Sequence, residues 1–384
     1  MSFNATIYKD QLSQLVAKPS VSCAVPKWDM ANLPVVELLA NWFGDLGFKT
    51  QILPLSQSGK ANLIATLGQG DGGLVLAGHS DTVPYDENSW QSDPFVLTEK
   101  NQLLYGLGAT DMKGFFPVIL QAVQPYLNSA FKHPLIVLAT ADEESSMNGA
   151  RALAKQGIHN ATPRYAVIGE PTELTPIRMH KGIMMESIRV QGKSGHSSNP
   201  ALGKNALDAM SDVIVELKKL RGDLQSRYHN SGFAVQTPTL NLGCIHGGDG
   251  ANRICAECEL HFDLRLLPGM DNMEIRNAIQ QRLTPIAEAS KTDIVFSSLF
   301  EGVEPFAEDA ESELVKICEQ LSGNHSESVA FATEAPFMQQ MGMQTVVLGP
   351  GSINQAHQPD EYIALNQLEL AVNIVRGLIE KFCL

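Results

Sequence analysis

The stretch L-V-L-A-G-H-S-D-T occupies residues 74–82 and joins a short apolar run to a histidine and an aspartate. The apolar run at residues 74–77 has the length and composition of a buried strand. His79 and Asp81 therefore stand where this strand gives way to a loop. Open α/β sheets bind their ligands beyond the carboxyl ends of their strands. The stretch thus predicts both an α/β sheet and a polar site at its edge.

Four further fragments place polar residues at similar junctions. They surround Asp111 (G-A-T-D-M-K-G), the pair Glu143 and Glu144 (A-D-E-E-S), Glu170 (I-G-E-P-T) and His357 (N-Q-A-H-Q-P-D-E). Imidazole and carboxylate groups are ligands of zinc-like divalent ions in proteins. This set of residues predicts a pair of metal ions and a metal-dependent hydrolase.

The length and charge of the chain limit the kinds of protein it can be. It has 384 residues, and its 28 Lys and Arg against 42 Asp and Glu give a formal net charge of −14. Single hydrophobic cores stop growing at about 250 to 300 residues, so we expect two domains. The acidic balance argues against a nucleic acid or an anionic membrane as partner. The apolar runs are shorter than the roughly 20 residues of a membrane helix, and no secretory signal opens the chain. We expect a cytoplasmic protein.

The six cysteines are scattered along the chain, which is not the pattern of a disulfide framework. We therefore expect reduced thiols. Cys255 and Cys258 have the spacing of one half of a zinc knuckle, but no second pair follows them. Residues i and i+3 of a strand face opposite sides, so we interpret this pair as ordinary strand residues.

Segments of alternating type indicate a two-part organisation. Up to residue 180, short apolar runs alternate with helical patterns, which favours an α/β domain with a largely parallel or mixed sheet. Residues 181–292 combine alternating strands with long helical patterns, which is typical of a separate α+β unit. The β-α-β rhythm then returns over residues 293–384. Because this last segment carries His357, we expect it to rejoin the first domain, with residues 181–292 as an insertion.

Three local patterns carry specific predictions. Residues 33–46 have helical apolar spacing, with Asn32 as the candidate N-cap. Residues 329–332 predict a short strand. Residues 68–73, G-Q-G-D-G-G, fit the G-x-G-x-x-G pattern of dinucleotide-binding proteins, but they link two strand-like runs instead of opening a helix. We interpret them as a glycine-rich hairpin, so the alternative of a nicotinamide-dependent oxidoreductase rests on this motif alone.

The adjacent carboxylates Glu143 and Glu144 follow a predicted core strand at residues 135–140. They repel each other unless a cation compensates their charge or one of them is protonated. Neighbouring side chains point in different directions, so the two carboxylates can hardly bind the same ion. In one arrangement that avoids both this problem and the repulsion, Glu144 binds a metal ion and Glu143 stays free as the general base. The alternative is a solvated, acidic helix start. Asp111, taken alone, can also be interpreted as a helix N-cap. His79, taken alone, can also be interpreted as a packed residue without a metal.

Six ordered motifs resemble those of the dinuclear zinc acylase and peptidase family, which includes aminoacylase and succinyl-diaminopimelate desuccinylase. They are G-H-S-D-T, G-L-G-A-T-D-M-K-G, A-T-A-D-E-E, G-E-P-T, G-K-S-G-H-S-S and H-Q-P-D-E, and they span nearly the whole chain. The resemblance implies a mixed-sheet, zinc-peptidase-like catalytic domain at residues 1–180 and 293–384. It also implies that residues 181–292 form an inserted dimerisation or lid domain.

The resemblance further implies two Zn²⁺ ions per subunit, which Co²⁺ can replace. Asp111 would bridge the two ions. His79 and Glu170 would complete one site, and Glu144 and His357 the other.

Three more residues receive catalytic roles from the resemblance. Glu143 would be the general base and acid, and Asp81 would hydrogen-bond the far ring nitrogen of His79 and fix its tautomer. His196, in G-K-S-G-H-S-S, would act in the active site of the partner subunit and help stabilise the oxyanion. This last role implies a homodimer.

Residues 247–270, 331–337 and 348–362 are closer still to the family members that deacetylate N2-acetyl-L-ornithine in arginine biosynthesis. The substrate would then be a small N-acyl amino acid. Arg265 is the candidate for its carboxylate, because a guanidinium offers two parallel donors. Asn252 and Lys181 are secondary candidates, with polar strand-end and turn residues as the alternative, and Glu334 is the candidate for the cationic side chain.

Three alternatives stay open at this point. The nearest is another dizinc deacylase or dipeptidase of the same family, such as a succinyl-diaminopimelate desuccinylase or a general N-acyl-amino-acid deacylase. A catalytically inactive binding protein on the same fold is disfavoured, because the base and all the ligand types are present. A serine hydrolase is disfavoured because no G-x-S-x-G follows a strand.

Overall fold

The structure is a computed structural model that describes residues 2–158 and 161–384. In chain order, its helices and strands are α1 (Ala5–Val16), α2 (Leu33–Asp45), β1 (Lys49–Pro54), β2 (Ala61–Leu67), β3 (Leu74–His79), β4 (Thr98–Lys100), β5 (Leu103–Tyr105), α3 (Phe115–Val123), β6 (Leu135–Thr140), α4 (Asn148–Gln156), β7 (Tyr165–Pro171), β8 (Ile177–His180), β9 (Gly182–Gln191), α5 (Ala206–Arg227), β10 (Thr239–Gly247), β11 (Glu257–Leu266), α6 (Asn272–Ser290), β12 (Asp293–Ser298), β13 (Phe306–Ala307), α7 (Glu313–Ser322), β14 (Glu327–Val329), α8 (Ala335–Gln340), β15 (Gln344–Gly349), β16 (Tyr362–Ala364) and α9 (Leu368–Cys383). Among the described residues, no helix has both the length and the apolar character needed to cross a bilayer.

The chain divides into two compact units. Unit 1 comprises Met1–Arg178, Glu308–Glu327 and Thr333–Leu384, and unit 2 comprises Met179–Ala307 and Ser328–Ala332. The sequence pattern predicts the end of the insertion at residue 292, but β12 and β13 also belong to unit 2. The reason is pairing: β12 runs antiparallel to β9 along its whole length. The strand predicted at residues 329–332 lies earlier in the structure, where β14 spans Glu327–Val329.

Six strands of unit 1 follow the order β1-β2-β6-β3-β7-β15 within a nine-stranded sheet. β3 is parallel to both β6 and β7, and β15 is parallel to β7. β2 is antiparallel to β1 and to β6. The mixed-sheet α/β class predicted from the sequence is therefore confirmed. Because β3, β6 and β7 run in the same direction, their carboxyl ends meet at one edge of the sheet.

β6 lies between β2 and β3 and is buried over its whole length. Its six residues, L-I-V-L-A-T, are aliphatic or β-branched, as suits a strand covered on both faces. Truncating one such buried leucine to alanine typically costs about 2–5 kcal/mol. β6 is thus a firm base for the turn that follows it, which carries Glu143 and Glu144.

The link between β2 and β3 is not the predicted hairpin. β2 and β3 both pair with β6, one on each side, so the glycine-rich segment at residues 68–73 passes across the end of β6. Gly73 has a φ of 86°, and a Cβ there would meet the main-chain oxygen of Pro134 at 2.0 Å. The glycine is needed for this close crossing.

Asn32 precedes α2, but its side chain does not cap the helix. Its Nδ2 donates to the main-chain oxygen of Ala61 at 2.8 Å, and its Oδ1 accepts the Ala61 N–H at 2.9 Å. The predicted capping bond is thus replaced by a two-way bond with the first residue of β2. Pro34 in the first turn has no N–H that needs a cap.

α3 is buried along its whole length and packs against α1, α2 and α9. The Tyr8 hydroxyl of α1 donates to the main-chain oxygen of Gly114 at 3.0 Å, just before α3 begins. These contacts hold the loop between β5 and α3 against the core. Asp111 lies in that loop.

Unit 2 has a four-stranded antiparallel sheet in the order β10-β11-β9-β12. α5 and α6 pack against each other, α5 against β9, β10 and β11, and α6 against β12. Asn205 caps α5 by accepting the Leu207 N–H at 3.0 Å. Buried and partly exposed residues alternate along β11, and Cys258 lies on its buried face.

Candidate metal centre

Five of the predicted site residues lie at one edge of the sheet of unit 1. Two of them lie at or near the ends of strands, and three lie in the segments that follow or connect strands. His79 is the last residue of β3, Glu170 lies near the end of β7, and Glu144 lies in the turn after β6. Asp111 belongs to the loop before α3, and His357 to the loop between β15 and β16. The structure therefore brings together these five residues, which are far apart in the sequence.

The five residues form two groups that share Asp111. In the first group, Nε2 of His79 lies 2.9 Å from Oδ1 of Asp111 and 3.9 Å from Oε1 of Glu170. In the second, Nε2 of His357 lies 3.4 Å from Oδ2 of Asp111 and 3.0 Å from Oε2 of Glu144. Within each group, the candidate ligand atoms all lie within 4.8 Å of one another. Asp111 thus offers one oxygen to each group, as a carboxylate does when it bridges two ions.

The hydrogen bonding of His79 tests whether a cation fits the first group. Nδ1 of this fully buried ring lies 3.0 Å from the main-chain oxygen of Asp81, which can only accept, so Nδ1 carries a proton. Nε2 faces the carboxylates of Asp111 and Glu170. Although burial lowers it, the hydrogen bond to Asp111 and the charge of Glu170 raise the pKa of His79 well above its usual value, so a positive charge is favoured at Nε2. A metal ion at Nε2 can take the place of a proton there. The donor set therefore fits a metal ion.

The charges of both groups support the same fit. Burial, and after it the charge of Asp111, raises the pKa of Glu144 to about 7 and that of Glu170 well above its usual value. Hydrogen bonds to Asp111 and Glu144 raise the pKa of His357 to about 10. Oε1 of Glu144 and Oε1 of Glu170 are buried without a hydrogen-bonding partner. A divalent cation would supply the missing partner and offset the crowding of negative charge.

Glu143 lies next to Glu144 but belongs to neither group of candidate ligands among the described residues. Burial, and after it the charge of Glu170, raises the pKa of Glu143 well above its usual value, while the charge of His79 acts in the opposite direction. A half-buried carboxyl group with a raised pKa is a candidate for accepting and releasing a proton.

Asp81 lies beside His79, but its carboxylate does not make the predicted bond. Nδ1 of His79 donates to the main-chain oxygen of Asp81, and Oδ1 of the side chain lies 3.8 Å from the same nitrogen. Oδ2 instead accepts the main-chain N–H of Glu144 at 3.1 Å. The Asp81 side chain thus joins the end of β3 to the turn after β6. A backbone acceptor cannot be recognised from residue types.

Glu361 is a buried residue that was not singled out from the sequence. Its carboxylate accepts the main-chain N–H groups of Gly108 at 2.9 Å, Thr110 at 2.8 Å and Asp111 at 3.0 Å. Burial, and after it the charge of Asp111, raises the pKa of Glu361 to about 8. The side chain ties the segment of His357 to the loop of Asp111. The acidic end of the H-Q-P-D-E motif was the signal that could have revealed it.

Glu334 precedes α8 and lies in unit 1 close to the charges of His79 and Asp81. Its residue exposure is 0%, and burial raises its pKa to about 7. Glu334 is thus as buried as His79, and its role toward a cationic substrate side chain stays a prediction.

Two predicted substrate residues, Lys181 and Arg265, lie in unit 2. Lys181 is buried, and its Nζ donates to the main-chain oxygen of Thr237 at 2.7 Å. Burial, and after it the charge of Arg265, lowers the pKa of Lys181. The Nε of Arg265 donates to Oδ1 of Asp263 at 3.1 Å. The charge of Arg265 thus acts on Lys181, and the carboxylate of Asp263 partly compensates it.

Asn252, another predicted substrate residue, and His196, the predicted oxyanion residue, lie on exposed segments of unit 2. Nδ1 of His196 lies 2.8 Å from the Ser198 hydroxyl. The main-chain oxygen of Asn252 accepts the Ser197 N–H at 3.2 Å. Both segments therefore meet in the same surface region of unit 2.

A mixed sheet with two groups of candidate metal ligands at its carboxyl edge suits a metal-dependent hydrolase. The model of Peptidase family M20/M25/M40 matches residues 75–381, so the chain belongs to this family and is a hydrolase.

Two bacterial relatives resemble the chain over its full length. The acetylornithine deacetylase of Proteus mirabilis (strain HI4320) is 46% identical over 385 residues, which cover 100% of this chain and 99% of the relative. The acetylornithine deacetylase of Klebsiella pneumoniae (strain 342) is 47% identical over 370 residues, which cover 96% of each. The resemblance recognised in the sequence is therefore confirmed.

Solved structures share the fold at lower sequence identity. A tripeptidase from Staphylococcus aureus superposes with a TM-score of 0.75, at 19% identity and 99% coverage of both chains. A dinuclear metal-binding peptidase of the M20 family from Bacillus subtilis superposes with a TM-score of 0.68, at 14% identity and 98% coverage of both chains. These matches confirm the fold.

Proposed function

We propose that the chain hydrolyses N2-acetyl-L-ornithine to L-ornithine and acetate, a step of arginine biosynthesis. The observation that carries this proposal is the pair of ligand groups sharing Asp111, with Glu143 beside them. The two deacetylases that are 46% and 47% identical supply the substrate. Because the chain matches them almost end to end, the same bond is the first to test.

The two groups would hold two zinc ions, which cobalt can replace. His79, Asp111 and Glu170 would bind one ion, and Asp111, Glu144 and His357 the other. When bound, such ions polarise an amide carbonyl and lower the pKa of water. The mixed imidazole and carboxylate set suits zinc.

Glu143 would move the proton. It accepts a proton from water while the water oxygen bonds to the acyl carbon, and it returns this proton to the amine nitrogen as the C–N bond breaks. The raised pKa of Glu143 suits this exchange, because it makes the carboxylate a stronger base than an ordinary glutamate. Asp81 would hold the turn that carries Glu143 through its bond to the Glu144 N–H.

Unit 2 would supply the contacts to the substrate. Arg265 would bind the substrate carboxylate, with Lys181 and Asn252 as secondary contacts. His196 would stabilise the oxyanion from the partner subunit of a homodimer. Its exposed position in unit 2 supports this role, because a side chain that reaches a partner must be free of its own core. The cytoplasmic location stays a prediction.

The deciding experiment is ornithine release from N2-acetyl-L-ornithine by metal-stripped protein, before and after zinc or cobalt is restored. N-succinyl-diaminopimelate, N-acetylmethionine and a dipeptide serve as competing substrates. We expect metal-dependent turnover with the highest kcat/KM for acetylornithine. A higher kcat/KM for a competing substrate would overturn the substrate proposal and leave the hydrolytic chemistry in place.

A further inference from the structure

Lys60 is a buried cation beneath the turn that follows β6. Its side chain is 1% exposed, and its Nζ lies 2.8 Å from Oδ1 of Asp29 and 2.7 Å from Oδ1 of Asp142. A buried ammonium is costly unless it is paired and hydrogen-bonded, and here both carboxylates provide this. Although burial lowers it, hydrogen bonds to Asp142 and Asp29 raise the pKa of Lys60 above its usual value. Lys60 is therefore charged at neutral pH.

Asp142, one partner of Lys60, directly precedes Glu143 and has a φ of 59°. This left-handed conformation is unusual for a residue with a side chain and persists only where its surroundings enforce it. The main-chain oxygen of Asp142 accepts the N–H groups of Ser146 at 3.0 Å and Met147 at 2.6 Å, which closes the turn. The conformation of Asp142 thus determines where the next two side chains point.

The side chain of Asp142 anchors this conformation. Its Oδ1 accepts from Lys60 and from the Ser22 hydroxyl at 3.0 Å. Within residues 2–158 and 161–384, Lys60 is the cation that pairs with Asp142, and Oδ2 of Asp142 is buried without a partner. Without the ammonium, the carboxylate would be a buried, uncompensated charge next to Glu143 and Glu144. It would then move toward solvent and open the turn.

We propose that Lys60 is a positioning residue that holds Asp142 in the left-handed conformation and thereby directs Glu144 toward Asp111 and His357 and leaves Glu143 free. This inference rests on the roles given to Glu143 and Glu144 in the proposed function. Lys60 touches no reacting atom and acts through Asp142 alone. Asp29, on the other side of the ammonium, belongs to a different loop and does not contact the turn in the described hydrogen bonds.

Four variants test the inference. Lys60→Met removes the charge and keeps the length of the side chain, and Asp142→Ala removes the anchor while Lys60 stays paired with Asp29. Asp29→Asn is the matched control, because it changes the other partner only. The double variant Lys60→Met/Asp142→Asn removes both charges, and asparagine tolerates the left-handed conformation well. Each is assayed for kcat and KM with N2-acetyl-L-ornithine, for zinc affinity by chelator competition, and for Tm.

We expect Lys60→Met and Asp142→Ala to lower kcat about tenfold or more, with KM changed less than about threefold, and to weaken binding of one zinc ion. The double variant should recover most of both losses, whereas Asp29→Asn should keep kcat within about twofold of the wild type. A structural role alone would lower Tm in Lys60→Met and Asp29→Asn alike, without the split between kcat and KM and without rescue.

Several results would overturn the inference. A normal kcat and a normal zinc affinity in Asp142→Ala would contradict the positioning role. If Lys60→Met does not fold, Asp142→Ala still tests that role. A double variant as impaired as Lys60→Met would also contradict it. If the wild type does not hydrolyse acetylornithine, the proposed function fails first. Zinc affinity then still tests the positioning role, because that measurement needs no substrate.

Discussion

Nε2 of His357 lies 3.0 Å from Oε2 of Glu144, although the two residues are 213 positions apart in the sequence. His357 has a φ of 58°, so its main chain adopts a left-handed conformation at the point where its ring approaches Glu144. The His357 side chain is 55% exposed, and that of Glu144 is 5% exposed. One group of candidate ligands therefore opens to solvent, while the group around the buried His79 is closed.

Removing His357 should empty one of the two metal positions. We expect His357→Ala to retain about one equivalent of zinc less than the wild type after dialysis. Its kcat should fall by more than the roughly 10–100-fold that loss of an outer-shell partner causes. Metal analysis and steady-state kinetics measure both effects. His325→Ala, which changes an exposed histidine outside both groups, is the control. Equal zinc content in the two variants would remove His357 from the ligand set.

Glu143 should separate metal binding from proton transfer. We expect Glu143→Gln to bind zinc as the wild type does and to lose about 10²–10⁴-fold in kcat, the range typical of a general acid–base group. The exposed Glu369→Gln provides an isosteric control on α9. If Glu143→Gln turns over at a near-normal rate with full zinc, another group carries the proton.

The stability of the metal-free protein should fall as the pH rises through neutrality. Burial raises the pKa of Glu144 and Glu334 to about 7 and that of Glu361 to about 8. Because these values exceed those of the unfolded chain, the stabilisation is present at low pH and is lost as the pH rises through the folded-state pKa. His357, with its pKa raised to about 10 by Asp111 and Glu144, acts in the same direction at higher pH.

We therefore expect the Tm of the stripped protein to decrease between about pH 5.5 and pH 8.5, and added zinc to raise Tm more at about pH 8 than at about pH 6. Thermal unfolding in matched buffers measures both trends. A stripped protein whose Tm rises over this interval would show that the buried carboxyl groups do not dominate its pH dependence.

Glu361 should stabilise the folded conformation of the loop that carries Asp111. Glu361→Ala leaves three buried N–H groups without their acceptor, and we expect the free energy of unfolding to fall by about 2–4 kcal/mol. Glu361→Gln keeps one acceptor oxygen and should lose about half as much. Denaturant titration gives the energies, and chelator competition gives the zinc affinity. Equal stability of the alanine and glutamine variants would mean that water replaces the carboxylate.

His196 should act across a subunit boundary if the proposed homodimer forms. Neither His196→Ala nor Glu143→Ala homodimers should turn over substrate at a normal rate. Mixed subunits should regain activity, because one site in each hybrid has both an intact Glu143 and an intact partner histidine. Differently tagged subunits allow the hybrid to be purified and assayed. A purified hybrid without activity would place the role of His196 within its own subunit, or outside catalysis.

The parts of the fold that follow from local patterns were predictable. Residues 135–140 form a strand because six consecutive aliphatic and β-branched residues suit a buried position, and β6 has these bounds. His79 and Glu170 could be placed at strand ends for the same reason. The glycine-rich segment at residues 68–73 was misinterpreted, because only the pairing of β6 with both neighbours rules out a hairpin.

Long-range polar contacts were not predictable from local patterns. Lys60 stands in the sequence S-G-K-A-N, where nothing local indicates that its ammonium is buried, because its partners Asp29 and Asp142 lie elsewhere in the chain. Asn32 reads as a helix cap, and only the start of β2 gives it a better partner. The role of the Asp81 main-chain oxygen could not be seen at all, since every residue has one.

Glu361 binds the loop of Asp111 from 250 positions further along the chain. During synthesis, the strands of the first half of unit 1 can form before that carboxylate has left the ribosome, since N-terminal parts fold first. The loop of Asp111 then still lacks its acceptor, and His357 has not yet been made. Metal loading at the proposed site would thus be a late event in the life of the chain, and a chain that ends before His357 would lack one of the candidate ligands.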